Sequence, residues 1–177
     1  KGITGRIFFD VNGNVVKPFP IGVYAHGRLI SAPTQLGPIV NMDSIVDLRK
    51  ELEEGNIIPM DDRFVYRTMV IYTGIDINEI SNINPRNETF TADFYLWFRH
   101  QRHFDYSKIE FLNAVEDLRL RDEPIMEMTA QNMAYRAYRI KGDFKEAFNF
   151  RDYPFDSQTL SIRFRHKKFN SERLVFV

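Results

Sequence analysis

The stretch that decides the fold is "TFTADFYLWFR", residues 89–99, because its side chains alternate with a period of two. Successive side chains of a β-strand point to opposite faces, so a wholly apolar set on one face predicts burial of that face. The apolar set is Phe90, Ala92, Phe94, Leu96 and Phe98, and the opposite set is Thr89, Thr91, Asp93, Tyr95, Trp97 and Arg99. We therefore predict a strand that lays its phenylalanines in the core.

Other stretches indicate further strands. The segment "TLSIRFR", residues 159–165, alternates in the same way, and "FVYRTMVIYTGIDI" (64–77) and "NMAYRAYRIKGDF" (132–144) are typical of strands. Half-buried strands that follow one another without intervening helices favour antiparallel pairing. The chain is therefore predicted to be mainly β, with its strands in an antiparallel sandwich or barrel. Of the two architectures, we choose an immunoglobulin-like β-sandwich.

The first forty residues predict β-hairpins. A strand "GRIFFD" (5–10) precedes "VNGN" (11–14), whose Asn-Gly pair is typical of a tight turn, and a second turn is expected near "AHG" (25–27). Residues 10–14 have some likeness to a calcium loop, but the glycine falls one place early and no glutamate closes the loop, so a tight turn is preferred. Prolines keep this segment out of the middle of a sheet: Pro18, Pro20, Pro33 and Pro38.

One helix is predicted, over residues 43–54. Asp43 or Ser44 can cap its start, and Gly55 offers a C-terminal stop. The charges between residues 47 and 54 are expected to form a solvated face. The chain thus combines one short N-terminal helix with N-terminal hairpins and a β-rich remainder.

Composition excludes several classes of function. Lys plus Arg equals Asp plus Glu at 24 each, which argues against a nucleic-acid-binding protein, since binding to phosphates needs surplus positive charge. With no cysteine, the fold has no disulfide and no thiolate metal site. No run of 18 apolar residues occurs, as a membrane-spanning helix would require.

Catalytic and metal motifs are missing from the sequence. It has four histidines, no Gly-rich phosphate loop and no G-x-S-x-G, and its carboxylates are scattered. His100 and His103 lie three apart at a strand end and would point to opposite faces, so polar residues at a sheet rim are preferred to a metal pair. We predict a protein that is not an enzyme and has no cofactor; a hydrolase built from converging carboxylates with raised pKa values is the open alternative.

The polar face of the strand at residues 89–99 is the first candidate site. Trp97, the only tryptophan, lies there with Tyr95 and Arg99. Aromatic side chains beside charge on an outward face suit a subunit interface or a ligand site. The alternative is that a second layer or the N-terminal hairpins cover these side chains.

The second candidate is the turn at residues 153–156, "YPFD". An aromatic–Pro–aromatic step favours a tight corner, and Asp156 is expected to bond its own backbone two residues on. The surrounding segment "FNFRDYPFDSQTLSIRF" (148–164) closely resembles the signature loop of pentameric ligand-gated ion channels, the Cys-loop receptor family. The matching positions are Tyr153, Pro154, Phe155, Asp156 and Gln158. The two family cysteines fall at Glu146 and Leu160, and their absence is similar to the prokaryotic branch.

Two further segments support the resemblance, which covers residues 42–177. The strand at 89–99 resembles the strand that carries loop D of the ligand site, and "SKIEFLNAVED" (107–117) resembles the loop A region. The resemblance implies a ligand site that includes Tyr95 on loop D, Asn113 near loop A and His166 in loop B. It also implies a coupling role for residues 153–158, a small-molecule ligand, and self-association as a pentamer or another oligomer.

The first forty residues resemble a different family. The pattern in "GITGRIFFDVNG" (2–13) is similar to the C-terminal end of type I periplasmic binding proteins of the branched-chain amino-acid kind. The division expected is a tail of a periplasmic binding domain at 1–40, a helix and linker at 41–61, and a receptor-like sandwich at 62–177. The abrupt ends favour a fragment of a larger bacterial protein, periplasmic or extracellular, that meets the membrane only through parts absent here.

These resemblances imply a non-catalytic ligand-sensing or signal-relay module of a bacterial periplasmic receptor. Its ligand-binding candidates are Tyr95, Trp97, Arg99, Asn113 and His166, and no nucleic-acid partner is expected. The alternative is an accessory docking domain of an ABC-transporter substrate-binding protein that does not itself bind ligand.

Overall fold

The computed structural model describes residues 8–9, 15–16, 20–25, 27–39, 41–61, 63–120, 123–152 and 154–177. Three predicted features lie outside these ranges: the Asn-Gly turn with its calcium-like residues 10–14, the position of Pro18, and Tyr153 of the predicted coupling loop. The described part of the chain is mainly β, with antiparallel sheets, one short α-helix and an N-terminal hairpin, so this part of the prediction is confirmed. Within the described ranges, no helix has the length and apolar character needed to cross a membrane.

The regular elements follow one another as strands with one helical interruption. They are β1 (Phe8–Phe9), β2 (Val15–Val16), β3 (Gly22–Ala25), β4 (Arg28–Ser31), β5 (Thr34–Pro38), α1 (Leu48–Glu53), β6 (Ile57–Met60), β7 (Arg63–Asn84), β8 (Thr89–His100), β9 (Ile109–Phe111), β10 (Met126–Ala130), β11 (Met133–Lys145), β12 (Phe164–His166) and β13 (Leu174–Phe176). The chain divides into two units, Lys1–Ile71 with Phe169–Val177, and Tyr72–Lys168. The predicted division at residues 40 and 61 stays a prediction.

In the first unit, the beginning of β7 is paired along both edges. Strands β5 and β6 both pair antiparallel with Val65 and Tyr66, so they lie on opposite sides of β7. The short β13 pairs with Met69–Ile71 in parallel, which the all-antiparallel prediction did not include. Strands β3 and β4 form the hairpin predicted around Gly27, whose φ of 75° is one that glycine adopts without steric cost.

The predicted helix at 43–54 is shorter than expected. A 3₁₀ turn at Met42–Ser44 is capped by Asn41, and α1 starts only at Leu48, capped by the Asp47 carboxylate on the backbone N–H of Lys50 at 3.0 Å. Because each cap side chain satisfies its own set of N–H groups, two short helical segments replace one long one. The helix ends where predicted, at Gly55 with φ 66°.

In the second unit, β8 is the central strand of a sheet in the order β10–β11–β8–β7. All twelve residues of β8 pair with β11, from Thr89↔Lys145 to His100↔Ala134. On its other side β8 pairs with β7, from Asn84↔Thr89 to Tyr72↔Arg99, with two irregularities along the way. Gln131 and Asn132 both have positive φ and join β10 to β11 by the kind of tight turn that suits twisted hairpins.

The sheet of the second unit has an inner face and an outer face. The inner face carries the even-numbered residues of β8 and β11, and its members Phe90, Ala92, Phe94, Leu96, Phe98, Tyr138, Ile140 and Phe144 are buried. The antiparallel pair β9–β12 packs on this face through rings at 6.3 Å, Phe111 against Phe94 and Phe164 against Phe98. The predicted burial of the apolar face of residues 89–99 is confirmed.

The predicted strand at residues 159–165 is largely wrong, since only Phe164–His166 is a strand. The preceding backbone is held by side chains instead of a ladder. Asn113 Nδ2 donates to the carbonyl of Ser161 at 2.7 Å, Asn113 Oδ1 accepts from the N–H of Arg163 at 2.9 Å, and the Glu146 carboxylate accepts from the N–H of Ser161 at 3.1 Å. These long-range partners occupy the groups that a neighbouring strand would use.

Candidate functional site: the two faces of the sheet

Two rows of side chains cross one end of the outer face. The register aligns Tyr72, Arg99, Tyr135 and Met128 in one row, and Gly74, Trp97, Ala137 and Met126 in the next. Tyr72, Trp97 and Tyr135 are half-buried and Ala137 is buried. The exposed members are Arg99 and, on the edge strand β10, Met126 and Met128. We call these eight residues the outer patch. It contains Trp97 and Arg99 of the predicted site.

Trp97 lies flat on the sheet because its neighbour on β7 is a glycine. A Cβ placed on Gly74 would come within 2.3 Å of Trp97 Cζ2, so only glycine leaves room for the indole here. On the other side, the ring of Trp97 stacks with Tyr135 at a centroid distance of 6.1 Å and an interplanar angle of 26°. The indole is therefore fixed between strands with part of its surface open to solvent.

Arg99 is the exposed cation of the outer patch. Among the residues that the structure describes, none places a carboxylate within 4.0 Å of its guanidinium. Burial raises the pKa of Tyr72, opposed by the positive charge of Arg99. A cation that lies between two tyrosines without an acidic neighbour is suited to meet an anionic group from a binding partner.

Beyond the outer patch, an ion pair and hydrogen bonds join the polar side chains of the outer face, and we call this part the closed row. Arg139 donates to both oxygens of Asp93 at 3.0 and 2.9 Å, and its guanidinium lies 5.9 Å from the ring centre of Tyr95. The hydrogen bond from Arg139 lowers the pKa of Asp93. Thr91 donates to Asp143 at 2.5 Å and accepts from Asn82 at 3.2 Å. Neighbouring strands thus cover part of the polar face, and Tyr95 lies at the border between the closed row and the outer patch.

Asn113 is in a different place from Tyr95, Trp97 and Arg99. It is buried in the segment after β9, where Nδ2 donates to the carbonyls of Lys145 and Ser161. With Arg163 donating to its side-chain oxygen, all of these contacts are to backbone groups. This geometry gives Asn113 a structural contact between three segments and no exposed group for a ligand.

His166 is also remote from the outer patch, because it lies on the inner side. It is buried, and its ring centroid lies 5.5 Å from that of Phe104, which in turn contacts Phe98 on the inner face. His100 lies 5.5 Å from Phe104 as well. Burial lowers the pKa of both histidines. The five predicted ligand-binding residues therefore do not meet in one site.

The predicted coupling loop is closed by polar contacts. The Gln158 side chain accepts from the backbone N–H of Asn149 at 3.0 Å and donates to its carbonyl at 2.6 Å. Asp156 accepts a hydrogen bond from the Gln158 amide, not from its own backbone as expected. Phe155 is 92% exposed and Pro154 is exposed, so packing of the Phe155 ring does not hold this corner.

A cavity of about 230 Å³ on the inner side was missed by the sequence reasoning. It is lined by His103, Phe104, Asp105, Tyr106, Ser107, Leu120, Arg136 and Tyr138. One signal was available: Arg136 shares the apolar face of β11 with Tyr138 and Ile140, where a charge is out of pattern. The loop at residues 103–107 gave no such signal, because only the folded chain brings it next to Arg136.

No model of a protein family matches the chain, and no curated protein matches it either. In the described part of the chain, no group of three or more His, Asp or Glu side chains is placed to hold a metal ion. Functional inference for this chain therefore depends on the two faces of its sheet.

Proposed function

We propose that this chain is a non-catalytic ligand-sensing or signal-relay module of a bacterial periplasmic receptor, and that it associates with its neighbour subunit through the outer patch. The observation that carries the proposal is the half-exposed Trp97–Tyr135 stack beside Arg99. Tryptophan, tyrosine, methionine and arginine are enriched at the centres of protein interfaces, and charged pairs are depleted there. The periplasmic setting rests on the resemblance of residues 1–40 alone.

The electrostatics support a binding role over a catalytic one. A hydrolase of scattered carboxylates would need a carboxyl group with a raised pKa to act as general acid. Where carboxyl pKa values are shifted among the described residues, hydrogen-bond donors lower them: Glu51, Asp93, Asp105 and Asp117. These groups are ionised acceptors of structural hydrogen bonds.

We also propose that the two layers of the second unit are part of an immunoglobulin-like sandwich of the receptor type. The packing of β9–β12 on the inner face supports this, since it forms an aromatic core between two sheets. The loop from residue 146 to residue 161 is a second support. Glu146 and Leu160 stand where the family cysteines fall, and the Glu146 carboxylate accepts from the N–H of Ser161, beside Leu160.

Sedimentation velocity over a wide range of protein concentration tests the subunit proposal. The chain is expected to associate, with a blue shift of Trp97 emission because the indole loses water. Met128→Glu should keep it monomeric by placing a charge in the outer patch. Glu127→Gln is the matched control, because Glu127 is the neighbouring residue of β10 on the opposite face. A parent chain that stays monomeric at every concentration contradicts the proposal and favours the docking-domain alternative.

A cysteine pair tests the receptor resemblance separately. Glu146→Cys with Leu160→Cys in this cysteine-free chain should form a disulfide under mild oxidation. For a loop of about 15 residues the expected stabilisation is about 3 kcal/mol. Thiol counting and urea unfolding measure the two effects, with each single substitution as control. Thiols that remain free would place residues 146 and 160 outside disulfide geometry and count against the resemblance.

A further inference from the structure

The inner-side cavity combines apolar walls with one positive charge. Phe104 and Leu120 are buried, and the rings of Tyr106 and Tyr138 lie 5.7 Å apart. Phe104 meets Tyr106 edge to face at 4.9 Å. The volume of about 230 Å³ is below that of typical drug-sized sites, so an occupant has to be small.

The positive charge is the guanidinium of Arg136, and it is held in a fixed orientation. Its central carbon lies 4.8 Å from the ring centre of Tyr106, which places the cation over an aromatic face. Its Nε and Nη2 donate to one oxygen of Glu127 at 2.8 and 2.5 Å. The hydrogen bonds with Glu127 raise the pKa of Arg136, with a smaller contribution from Tyr138.

Glu127 contacts this guanidinium from an open position. It lies on the edge strand β10, all five residues of which are exposed, and its own side chain is half-exposed. Exposed ion pairs contribute only about 0–1 kcal/mol. An incoming carboxylate can therefore replace Glu127 on Arg136 at little cost, and Glu127 shows which anion the site accepts.

We propose that this cavity is a binding site for a small monocarboxylate with a compact apolar or aromatic body. The ligand carboxylate takes the place of Glu127 on Arg136, and the body of the ligand lies between the rings and Leu120. Asp105 limits the charge of the ligand. Its carboxylate accepts from the N–H and the hydroxyl of Ser107 at 3.1 and 2.6 Å, so it stays ionised and repels a second negative charge on the ligand.

This site goes beyond the proposed function, because it uses the opposite face of the sheet from the outer patch. The two faces share β11, on which Arg136 serves the cavity and Arg139 serves the closed outer row. The pair also provides a matched control. Both arginines bind a carboxylate, but only Arg136 lines the cavity.

The test is a titration of the full chain with benzoate, followed by amide chemical shifts in ¹H–¹⁵N NMR spectra. Benzamide, which has the same shape without the charge, is the control ligand. We expect benzoate to shift the amides of residues 103–107 and of Arg136 and Tyr138 in a saturable way, and benzamide to bind at least about tenfold more weakly, because it cannot form charge-assisted bonds.

Three variants sharpen the result. Arg136→Gln should weaken benzoate binding about tenfold or more, and Arg139→Gln should leave the Kd unchanged. Glu127→Gln should strengthen binding up to about fivefold, because it removes the internal competitor. Since Glu127 is exposed on an edge strand, this last variant keeps the prediction testable if Arg136→Gln does not fold.

Equal affinity for benzoate and benzamide would overturn the proposal, and so would an unchanged Kd in Glu127→Gln. Shifts centred on Trp97 and Tyr135 would also overturn it, since they place the ligand on the outer patch. None of these results bears on self-association through the outer patch, which is measured by sedimentation and Trp97 emission. The two proposals can therefore fail independently.

Discussion

The inner and outer faces of one sheet are stabilised by different interactions, although their residues alternate along the same strand. Phe94 is fully buried and touches Phe111 and Phe144, whereas its neighbour Tyr95 is half-buried against Arg139. The inner face is closed by a second layer of aromatic rings. The outer face is closed only where ion pairs and short polar contacts cover it. We therefore expect ligands or partners to bind where the second layer of rings, or the ion pairs, no longer cover the sheet.

The largest difference between the faces should appear on truncating these two neighbours. Phe94→Ala should lower the free energy of unfolding by about 3–5 kcal/mol, because it leaves a cavity among packed rings. Tyr95→Ala should cost about 1 kcal/mol, since the side chain is partly solvated. Urea unfolding measures both values. Similar losses for the two variants would show that the outer face is packed like a core.

A second comparison uses the same substitution on each face. Gly74→Ala should cost about 1–3 kcal/mol, because the new methyl group displaces the Trp97 ring, and Trp97 emission should shift to the red. Gly142→Ala on the inner side should cost less, as its Cβ would meet only the flexible end of Leu118 at 3.1 Å. Urea unfolding and fluorescence check both. An unchanged emission spectrum in Gly74→Ala would mean that the Trp97 indole does not pack against Gly74.

Much of this two-faced sheet could be predicted from the sequence. The alternation in residues 89–99 identifies the buried phenylalanines and the half-buried Trp97. The period of two is a property of the strand itself and does not depend on which strands pair with it. The strand at 159–163 could not be predicted correctly. Its backbone groups are taken by Asn113 and Glu146, which lie far away in the chain.

The candidate site was harder to predict than the strands. Placing Asn113 and His166 beside Tyr95 depended on a resemblance. The structure separates them, because His166 packs against Phe104 on the inner side and Asn113 is bonded to backbone groups near the Lys145 end of β11. The cavity depends on Arg136 and the loop at 103–107, which only the pairing of β8 with β11 brings together. Alternation predicts which face a residue occupies, but not which loop lies over it.

A smaller effect is expected from the ion pairs of the two faces. Glu127→Gln should change the free energy of unfolding by about 1 kcal/mol or less, because its pair with Arg136 is partly exposed. Asp93→Asn should be the more destabilising of the two at neutral pH, since the Asp93 side chain is buried under Arg139. The folded pKa of Asp93 lies below its unfolded value, so this difference is present above pH 3.8 and is lost as pH falls through the folded pKa. Urea unfolding at pH 7 and pH 3 measures it.

The smallest expected effect is the pH dependence of stability that arises from two buried histidines on the inner side. Burial lowers the folded pKa of His100 and His166 below the usual 6.5. The positive charges of Arg136 and His103 lower the pKa of His100 further. Lys108 and Lys168 act in the same direction on His166, and Asp105 opposes them. The unfolded chain then binds protons first, so stability should be constant well above pH 6.5 and decline as pH falls below it.

Urea unfolding between pH 8 and pH 5 tests this dependence. His103→Gln, which changes an exposed histidine beside the same cavity, is the control and should keep most of the decline. His100→Gln should reduce it, because the Nδ1–H bond to the Arg102 carbonyl at 2.7 Å can be kept by an amide that does not titrate. A flat profile in the parent chain would show that neither buried ring is protonated preferentially in the unfolded state.

The edge strand β10 contributes side chains to both faces of the sheet. Glu127 lies between Met126 and Met128, so one short strand holds a carboxylate on Arg136 and two methionines in the outer patch. Because the side chains of a strand alternate between two faces, a slip of one residue in the pairing of β10 with β11 would turn Glu127 toward the outer patch and both methionines toward the inner side at once.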